Sequence, residues 1–314
     1  MKVLISDKTD PICARTLRAF SGIEVEERAG MSPEQLLQEI AHYDALVVRS
    51  ATKVTAQVME AGKKLKAIGR AGAGVDNIDV QAATDRGIVV MNTPGGNANA
   101  VAELAIGMMF ALARKLVATV EGMKAGRWEK KGYQGGELSG KILGLVGIGQ
   151  VGARVARKAV ALDMRVLAYD PFVSPEKAME MGVEICELDR LYGESDYISL
   201  HLPKNEQTAR MIDKEAFVAM KPGVFLINCA RGGIVVEADL LQALEEGNVA
   251  GVGIDVYEIE PPEDWSLANH PSVIATPHIG AATAEAQIVV AEMIGRQIGQ
   301  YLIEGKVVHA VDRP

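Results

Sequence analysis

Residues Lys141–Asp170 read K-I-L-G-L-V-G-I-G-Q-V-G-A-R-V-A-R-K-A-V-A-L-D-M-R-V-L-A-Y-D. Leu143, Leu145 and Val146 form an apolar run of the kind that fits a strand buried on both faces of a parallel sheet. Gly147, Gly149 and Gly152 follow at G-x-G-x-x-G spacing, and Val151, Val155, Ala156, Ala159 and Leu162 then recur at helical spacing. A second apolar run, Val166 to Ala168, leads to Asp170. The pattern is strand, glycine turn, helix, strand, acid.

Each residue type has a physical task in such a unit. Gly147 permits the tight turn out of the strand. Gly149 lets a pyrophosphate approach the backbone, and Gly152 lets the helix pack closely on the strand. The helix N-terminus, with Gln150 and Val151 in its approach, offers unpaired N–H groups and partial positive charge to phosphates. Asp170 is suited to accept hydrogen bonds from an adenosine ribose and to repel a 2′-phosphate, so NAD is expected over NADP. A tight turn without ligand and a methyltransferase nucleotide site are the competing readings; the strands, helix and terminal acid argue against the first, and the spacing suits the second less well.

Composition narrows the rest. At 314 residues the chain suits one or two domains, and 48% apolar residues suffice for a buried core. The formal charge is −8 with no basic block, so nucleic acid is not an expected partner. Cys13, Cys186 and Cys229 lie far apart, which predicts neither a metal site nor a disulfide framework and fits a reducing, cytoplasmic setting. The N-terminus lacks the apolar core of a signal peptide, and Leu104–Ala113 is too short to cross a bilayer.

The first ninety residues already alternate. Val3–Ile5, Ile23–Glu27, Ala45–Val48, Leu65–Gly69 and Ile88–Met91 read as strands. Pro11–Phe20, Pro33–Ile40 with Ser32 as N-cap, and Thr55–Ala61 read as helices. This rhythm predicts a doubly wound parallel sheet, with functional loops at the carboxyl ends of its strands. Two such ends are Arg49-Ser50-Ala51-Thr52-Lys53 and Arg70-Ala71-Gly72-Ala73-Gly74-Val75-Asp76. Thr93-Pro94-Gly95-Gly96-Asn97 marks a hinge. From there Val101, Leu104, Ala105, Met108, Met109, Leu112, Leu116 and Val120 predict one continuous helical stripe running from one domain to the other. With the Gly126–Lys131 loop and Trp128 it is either core or a two-fold subunit contact.

Beyond Asp170 the second domain continues. Tyr197–Leu200 ends at His201-Leu202, and Val224–Asn228 ends in Cys229-Ala230-Arg231. Val249–Ile254 runs into Asp255 and Glu260, and Val273–Ala275 into His278 and Gly280. The last helix, about Ala284–Ile303, is expected to return to the first domain. The domains expected are 1–94 with 285–314, and 95–284.

Arg231, Glu260 and His278, each just past a strand, have the chemistry for oxidising a hydroxyl to a carbonyl. An imidazole serves as the base, a carboxylate orients it and stabilises its charged form, and a guanidinium holds a substrate carboxylate in a two-pronged grip. The other four histidines lack such company and read as structural or exposed. For a second anionic group, Arg49 and Arg70, with Lys53 and Asn97 nearby, are candidate phosphate ligands. The competing reading is that these arginines pair with surface carboxylates.

At this point the chain resembles the D-isomer-specific 2-hydroxyacid dehydrogenases over essentially its whole length. The resemblance rests on V-V-R-S-A-T-K-V-T, R-A-G-A-G-V-D-N-I-D, M-N-T-P-G-G-N-A, G-I-G-Q-V-G, N-C-A-R-G-G-I-V, D-V-Y-E-I-E-P-P and P-H-I-G-A. It implies an α/β fold in which a Rossmann domain is inserted into a discontinuous flavodoxin-like substrate domain. It also implies NAD as cofactor, with contacts at Gln150, Val151, Asp170, Cys229, Ala230 and Asp255. Arg231 is implied as the carboxylate ligand, Glu260 as partner of the histidine and His278 as acid/base. Ala73 and Leu202 stand where family members that act on 3-phosphoglycerate often carry threonine. Both positions are expected to touch the cofactor, as is Gly280, while Ser50, Gly72 and Gly74 are expected to touch the substrate. The activity implied is oxidation of 3-phospho-D-glycerate to 3-phosphohydroxypyruvate by a homodimer or a dimer of dimers. A glycerate or glyoxylate dehydrogenase and a non-catalytic NAD(H)-sensing scaffold are the rivals. No regulatory domain is read after Pro314, which puts the serine feedback of longer family members in doubt.

Overall fold

A computed structural model describes residues 1–311. Its chain divides into two compact units, Met1–Asn97 together with the stretch from Ala281 on, and Ala98–Gly280. Every strand pair in both sheets is parallel.

The first unit holds β1 (Lys2–Ile5), β2 (Glu24–Glu27), β3 (Ala45–Val48), β4 (Ala67–Arg70) and β5 (Val89–Met91), in the order β2-β1-β3-β4-β5. This is the flavodoxin-like order. The period of two in the apolar runs sorts the side chains onto two faces. Val3, Ile5, Ala45 and Val47 meet Ile294, Ile298 and Leu302 of the helix Ala284–Glu304. Leu4, Leu46, Val48 and Ile68 meet Leu36, Val58 and Ala82 on the opposite side. Ser32 caps its helix reciprocally with Gln35, and Pro33 takes the first helical position, as the sequence predicts.

The second unit holds β6 (Ile142–Val146), β7 (Arg165–Tyr169), β8 (Val183–Ile185), β9 (Tyr197–Leu200), β10 (Val224–Asn228), β11 (Val249–Ile254) and β12 (Val273–Ala275). Their order, β12-β11-β10-β9-β6-β7-β8, reverses direction between β6 and β9. In open parallel sheets a ligand crevice forms at the carboxyl end of such a switch point. The glycine turn after β6 and His201-Leu202 after β9 both stand there.

The helical stripe departs from expectation. It breaks into Ala98–Ala113 and Leu116–Lys124, with Lys115 between them in a left-handed conformation (φ 49°). Val101, Ala105, Met108, Met109 and Leu112 are buried in the core of the second unit, whereas Leu116 and Val120 are 46% and 48% exposed. The apolar periodicity carries through the Arg114-Lys115 break by coincidence of spacing, and core packing accounts only for the first half. Short helices at Val80–Asp85, Pro175–Glu180 and Leu188–Glu194 had not been anticipated. Each has two turns or fewer, too few for a periodic signal. No helix among the described residues is long and apolar enough to cross a membrane.

Candidate active site

The glycine turn has the shape its spacing predicts. Gly147 sits at φ 92°, and a Cβ there would come within 2.7 Å of the His201 carbonyl oxygen. A Cβ on Gly152 would collide with the carbonyl oxygen of Gly147, so the helix Gly152–Ala161 lies directly against the turn. A Cβ on Gly149 would point into open space, leaving the backbone approachable. The helix N-terminus carries no side-chain cap. Asp170, just past β7, accepts hydrogen bonds from the N–H groups of Ile148 and Phe172, both 2.9 Å. The carboxylate is thereby fixed beside the turn with acceptor capacity to spare. An approachable backbone at Gly149, an uncapped helix terminus and an oriented carboxylate suit a dinucleotide. Gln150 is exposed and Val151 half-buried at the helix start, and Leu202 flanks the turn.

At the other strand ends of this unit, His278 and Glu260 meet. His278 Nδ1 lies 2.7 Å from Glu260 Oε2. With Nδ1 committed to the carboxylate, Nε2 is the ring atom available to a proton. Glu260 Oε1 accepts from the Tyr257 N–H at 3.1 Å, so this side chain also braces the turn that carries it. A cavity of about 490 Å³ beside the pair is lined by Tyr257, Pro261, Trp265 and Pro277 as well as both partners.

His278 adopts φ 52°, an uncommon conformation for a residue with a Cβ. Asp255 holds it there. This carboxylate, 1% exposed, accepts from Thr276 Oγ1 (2.6 Å), Ile279 N (2.7 Å) and Gly280 N (2.8 Å), which flank His278. The sequence had placed Asp255 and Gly280 among cofactor contacts, and both carboxylate oxygens of Asp255 serve the loop. Arg231 is set by Asn228, whose amide bonds the Arg231 carbonyl at 3.2 Å while its oxygen accepts from Ala230 N at 3.1 Å. The Arg231 guanidinium reaches the Ala230 carbonyl at 2.6 Å. Cys229 turns its sulfur into the core against Met108, and burial pushes its thiol well above the usual range. Only its backbone can meet a ligand.

His201 stands in a packed setting beside the glycine turn. Its Nε2 pairs with Ser199 Oγ at 2.9 Å, its Nδ1 is buried without a partner, and burial lowers its pKa to about 4. It is neutral at pH 7.

In the first unit, β3 and β4 pair Val48 with Arg70, so Arg49 and Arg70 occupy adjoining strand ends. Asp7, 6% exposed, accepts from Arg49 N (2.6 Å), Thr52 N (3.2 Å) and Thr52 Oγ1 (2.6 Å). Asn77 donates to the carbonyls of Arg49 (2.8 Å) and Thr52 (2.7 Å). Together they fix the loop, leaving Ser50 and Lys53 exposed. The Arg49 guanidinium reaches the Lys8 carbonyl at 3.0 Å. The Arg70 guanidinium lies over Gly72, where any Cβ would meet it. Asn92 donates to the Ala73 carbonyl and Thr93 N to that of Gly72 (3.0 Å), which steadies the glycine loop as far as Gly74. Asn97 closes the turn before the helix Ala98–Ala113. Asp7, Asn77 and Asn228 were missed in the sequence. The available signal was a short polar side chain at or near a strand end, next to a loop rich in functional groups. Among the described residues no group of histidine, cysteine or carboxylate side chains could hold a metal.

Residues 106–280 match the model of the D-isomer specific 2-hydroxyacid dehydrogenase, NAD binding domain. A D-3-phosphoglycerate dehydrogenase of Archaeoglobus fulgidus is 49% identical over 95% of this chain, and the match spans 56% of that relative's length. A hydroxypyruvate reductase of Thermotoga maritima is 46% identical over 96% of each chain. Among solved structures, D-lactate dehydrogenase of Aquifex aeolicus, complexed with NAD and lactic acid, superposes with a TM-score of 0.86 at 27% identity, covering 100% of both chains.

Proposed function

The chain belongs to the D-isomer specific 2-hydroxyacid dehydrogenases, and from that premise we propose that it oxidises 3-phospho-D-glycerate to 3-phosphohydroxypyruvate with NAD. The observation that carries the chemistry is the 2.7 Å contact of His278 with Glu260, in the unit that also holds the glycine turn and Asp170. NAD, when bound, supplies the hydride acceptor. His278 takes the hydroxyl proton at Nε2, since Nδ1 faces Glu260. Glu260 stabilises the imidazolium that results and keeps the ring in one orientation. Arg231 holds the substrate carboxylate through paired N–H groups. Asp170 orients the adenosine ribose, and the open backbone at Gly149 admits the pyrophosphate. Arg49 and Arg70 are assigned to the phosphate, with Lys53 and Asn97 in support. The assembly proposed is a homodimer, to which the exposed face of Leu116, Val120 and Trp128 contributes.

A second reading, a hydroxypyruvate or glycerate reductase, is favoured by the Thermotoga maritima relative, which this chain matches over nearly its full length. Steady-state kinetics on 3-phosphoglycerate and D-glycerate separate the two. A kcat/KM much higher for the phosphorylated acid is expected. Equal or better turnover of D-glycerate overturns the phosphate assignment and leaves the reductase.

A further inference from the structure

We propose that Glu237 and Glu258 are positioning residues that clasp the Arg231 loop to the Glu260 turn and thereby hold Glu260 against His278. The inference rests on the acid/base reading of that pair. The helix Glu237–Glu245 starts after Val236, a residue without a capping side chain, so its first N–H groups need a partner from elsewhere. Glu258, from the turn after β11, provides it. Its Oε1 accepts from the Glu237 N–H at 3.1 Å. The bond is returned, because Glu237 Oε1 accepts from the Glu258 N–H at 2.6 Å. A carboxylate at a helix N-terminus is also favoured by the helix dipole.

The clasp joins the two segments that carry the proposed chemistry. Arg231 opens one, and Gly232 beside it packs so tightly on the other that any Cβ would strike the Tyr257 carbonyl. Glu260 closes the other, tied back to Tyr257 N, while the Tyr257 hydroxyl bonds the Thr276 carbonyl at 3.0 Å just before His278. Glu258 is the midpoint of that turn. Without the clasp, the turn loses its hydrogen bonds to the helix start, and the Glu260 end is held through Tyr257 and the packing of Gly232. The carboxylates of Glu258, Asp264 and Glu260 all bear on Glu237. Together with burial, the largest cause, they raise its pKa above the usual carboxylate value. His278 faces Glu260 directly, and the Asp255 carboxylate lies under the residues that follow it.

The test follows the His278 ring resonance through a pH titration of histidine-labelled full-length protein, assigned by its loss in His278→Ala. Glu237→Ala and Glu258→Ala are expected to move the titration midpoint to lower pH by about one unit, as expected when a carboxylate partner is loosened. Glu237→Gln and Glu258→Gln keep the acceptor oxygen and are expected to titrate like the parent. In turnover, the alanine variants are expected to lose about tenfold in kcat with KM for NAD unchanged. Alanine variants that titrate like the parent overturn the clasp. Glutamine variants that shift as far as alanine overturn it as well, because charge alone then accounts for the effect. If His278→Ala retains turnover, the acid/base reading fails, and the ring titration still decides the clasp.

Discussion

The loop after β3 in the first unit and the loop after β12 in the second are held by the same device, yet they present opposite chemistry. Asp7 and Asp255 are both buried carboxylates near the ends of neighbouring strands. Each accepts two backbone N–H groups and one threonine hydroxyl from the loop beside it. Such charge-assisted bonds fix backbone without needing apolar cover. What each anchor serves differs. Asp7 steadies Arg49, a permanent cation. Asp255 steadies His278, the group proposed to gain and lose a proton, and holds it at a positive φ. On the proposed roles, recognition by fixed charge goes with an ordinary loop conformation and proton transfer with a strained one, as is common at reacting residues.

The largest effect expected on this contrast comes from removing the base. His278→Ala is expected to cost about 10²–10⁴-fold in turnover with NADH affinity retained, and full turnover in the variant would place the base elsewhere. Arg49→Ala or Arg70→Ala comes next, weakening 3-phosphoglycerate by about 1.5–3 kcal/mol while leaving D-glycerate nearly unchanged. Equal losses on both substrates, read from paired KM values, would make the arginines structural. The anchors themselves follow. Asp7→Ala and Asp255→Ala each leave buried donors unpaired, a cost of about 1–3 kcal/mol, visible as lower melting midpoints. Asp7→Ala should act mainly on KM for the phosphorylated acid and Asp255→Ala mainly on kcat. A reversed split breaks the comparison.

The smallest effect concerns acid stability, which belongs to the second unit. The folded value of His201, about 4, lies below its usual value of 6.5, so the unfolded chain takes up the proton first. Its contribution is complete above pH 6.5 and is lost as pH falls from there toward 4. Because the residue as a whole is only half-buried, the loss is about 1–2 kcal/mol rather than the full linkage figure. His201→Asn should flatten the decline of the melting midpoint across that window, and an unchanged decline assigns it to other groups.

The fold was legible because buried parallel strands announce themselves as apolar runs, and each run such as Ala45–Val48 or Val224–Asn228 ends at a polar loop. The glycine turn was legible for the same reason, with Gly147 at a positive φ, Gly149 open and Gly152 packed where a Cβ would collide. The trio Arg231, Glu260 and His278 could be nominated one by one, and the structure brings Glu260 and His278 into contact. The supporting groups were not legible. Asp7, Asn228, Glu237 and Glu258 act through bonds to backbone groups, and a backbone N–H leaves no trace in sequence. Nor could the break at Lys115 be seen, because an apolar stripe continues in register across two helices as readily as along one.

The first unit is assembled from both ends of the chain, and its sheet is covered on one face by the helix Ala284–Glu304. On the ribosome, strands β1 to β5 and the helices of their other face precede residues 98–280, yet the face that Ile294, Ile298 and Leu302 complete cannot be closed until that whole stretch has been synthesised. At ordinary elongation rates that is a wait of about ten seconds or more. The intervening unit is contiguous and has its own cores, so it is free to fold during the wait. Nascent chains stalled before Ala284 should therefore resist protease across residues 98–280 and be cut within the first ninety-seven. Order of birth and order of completion run opposite ways in this molecule, and the N-terminal strands depend longest on whatever shields unfinished chains in the cell.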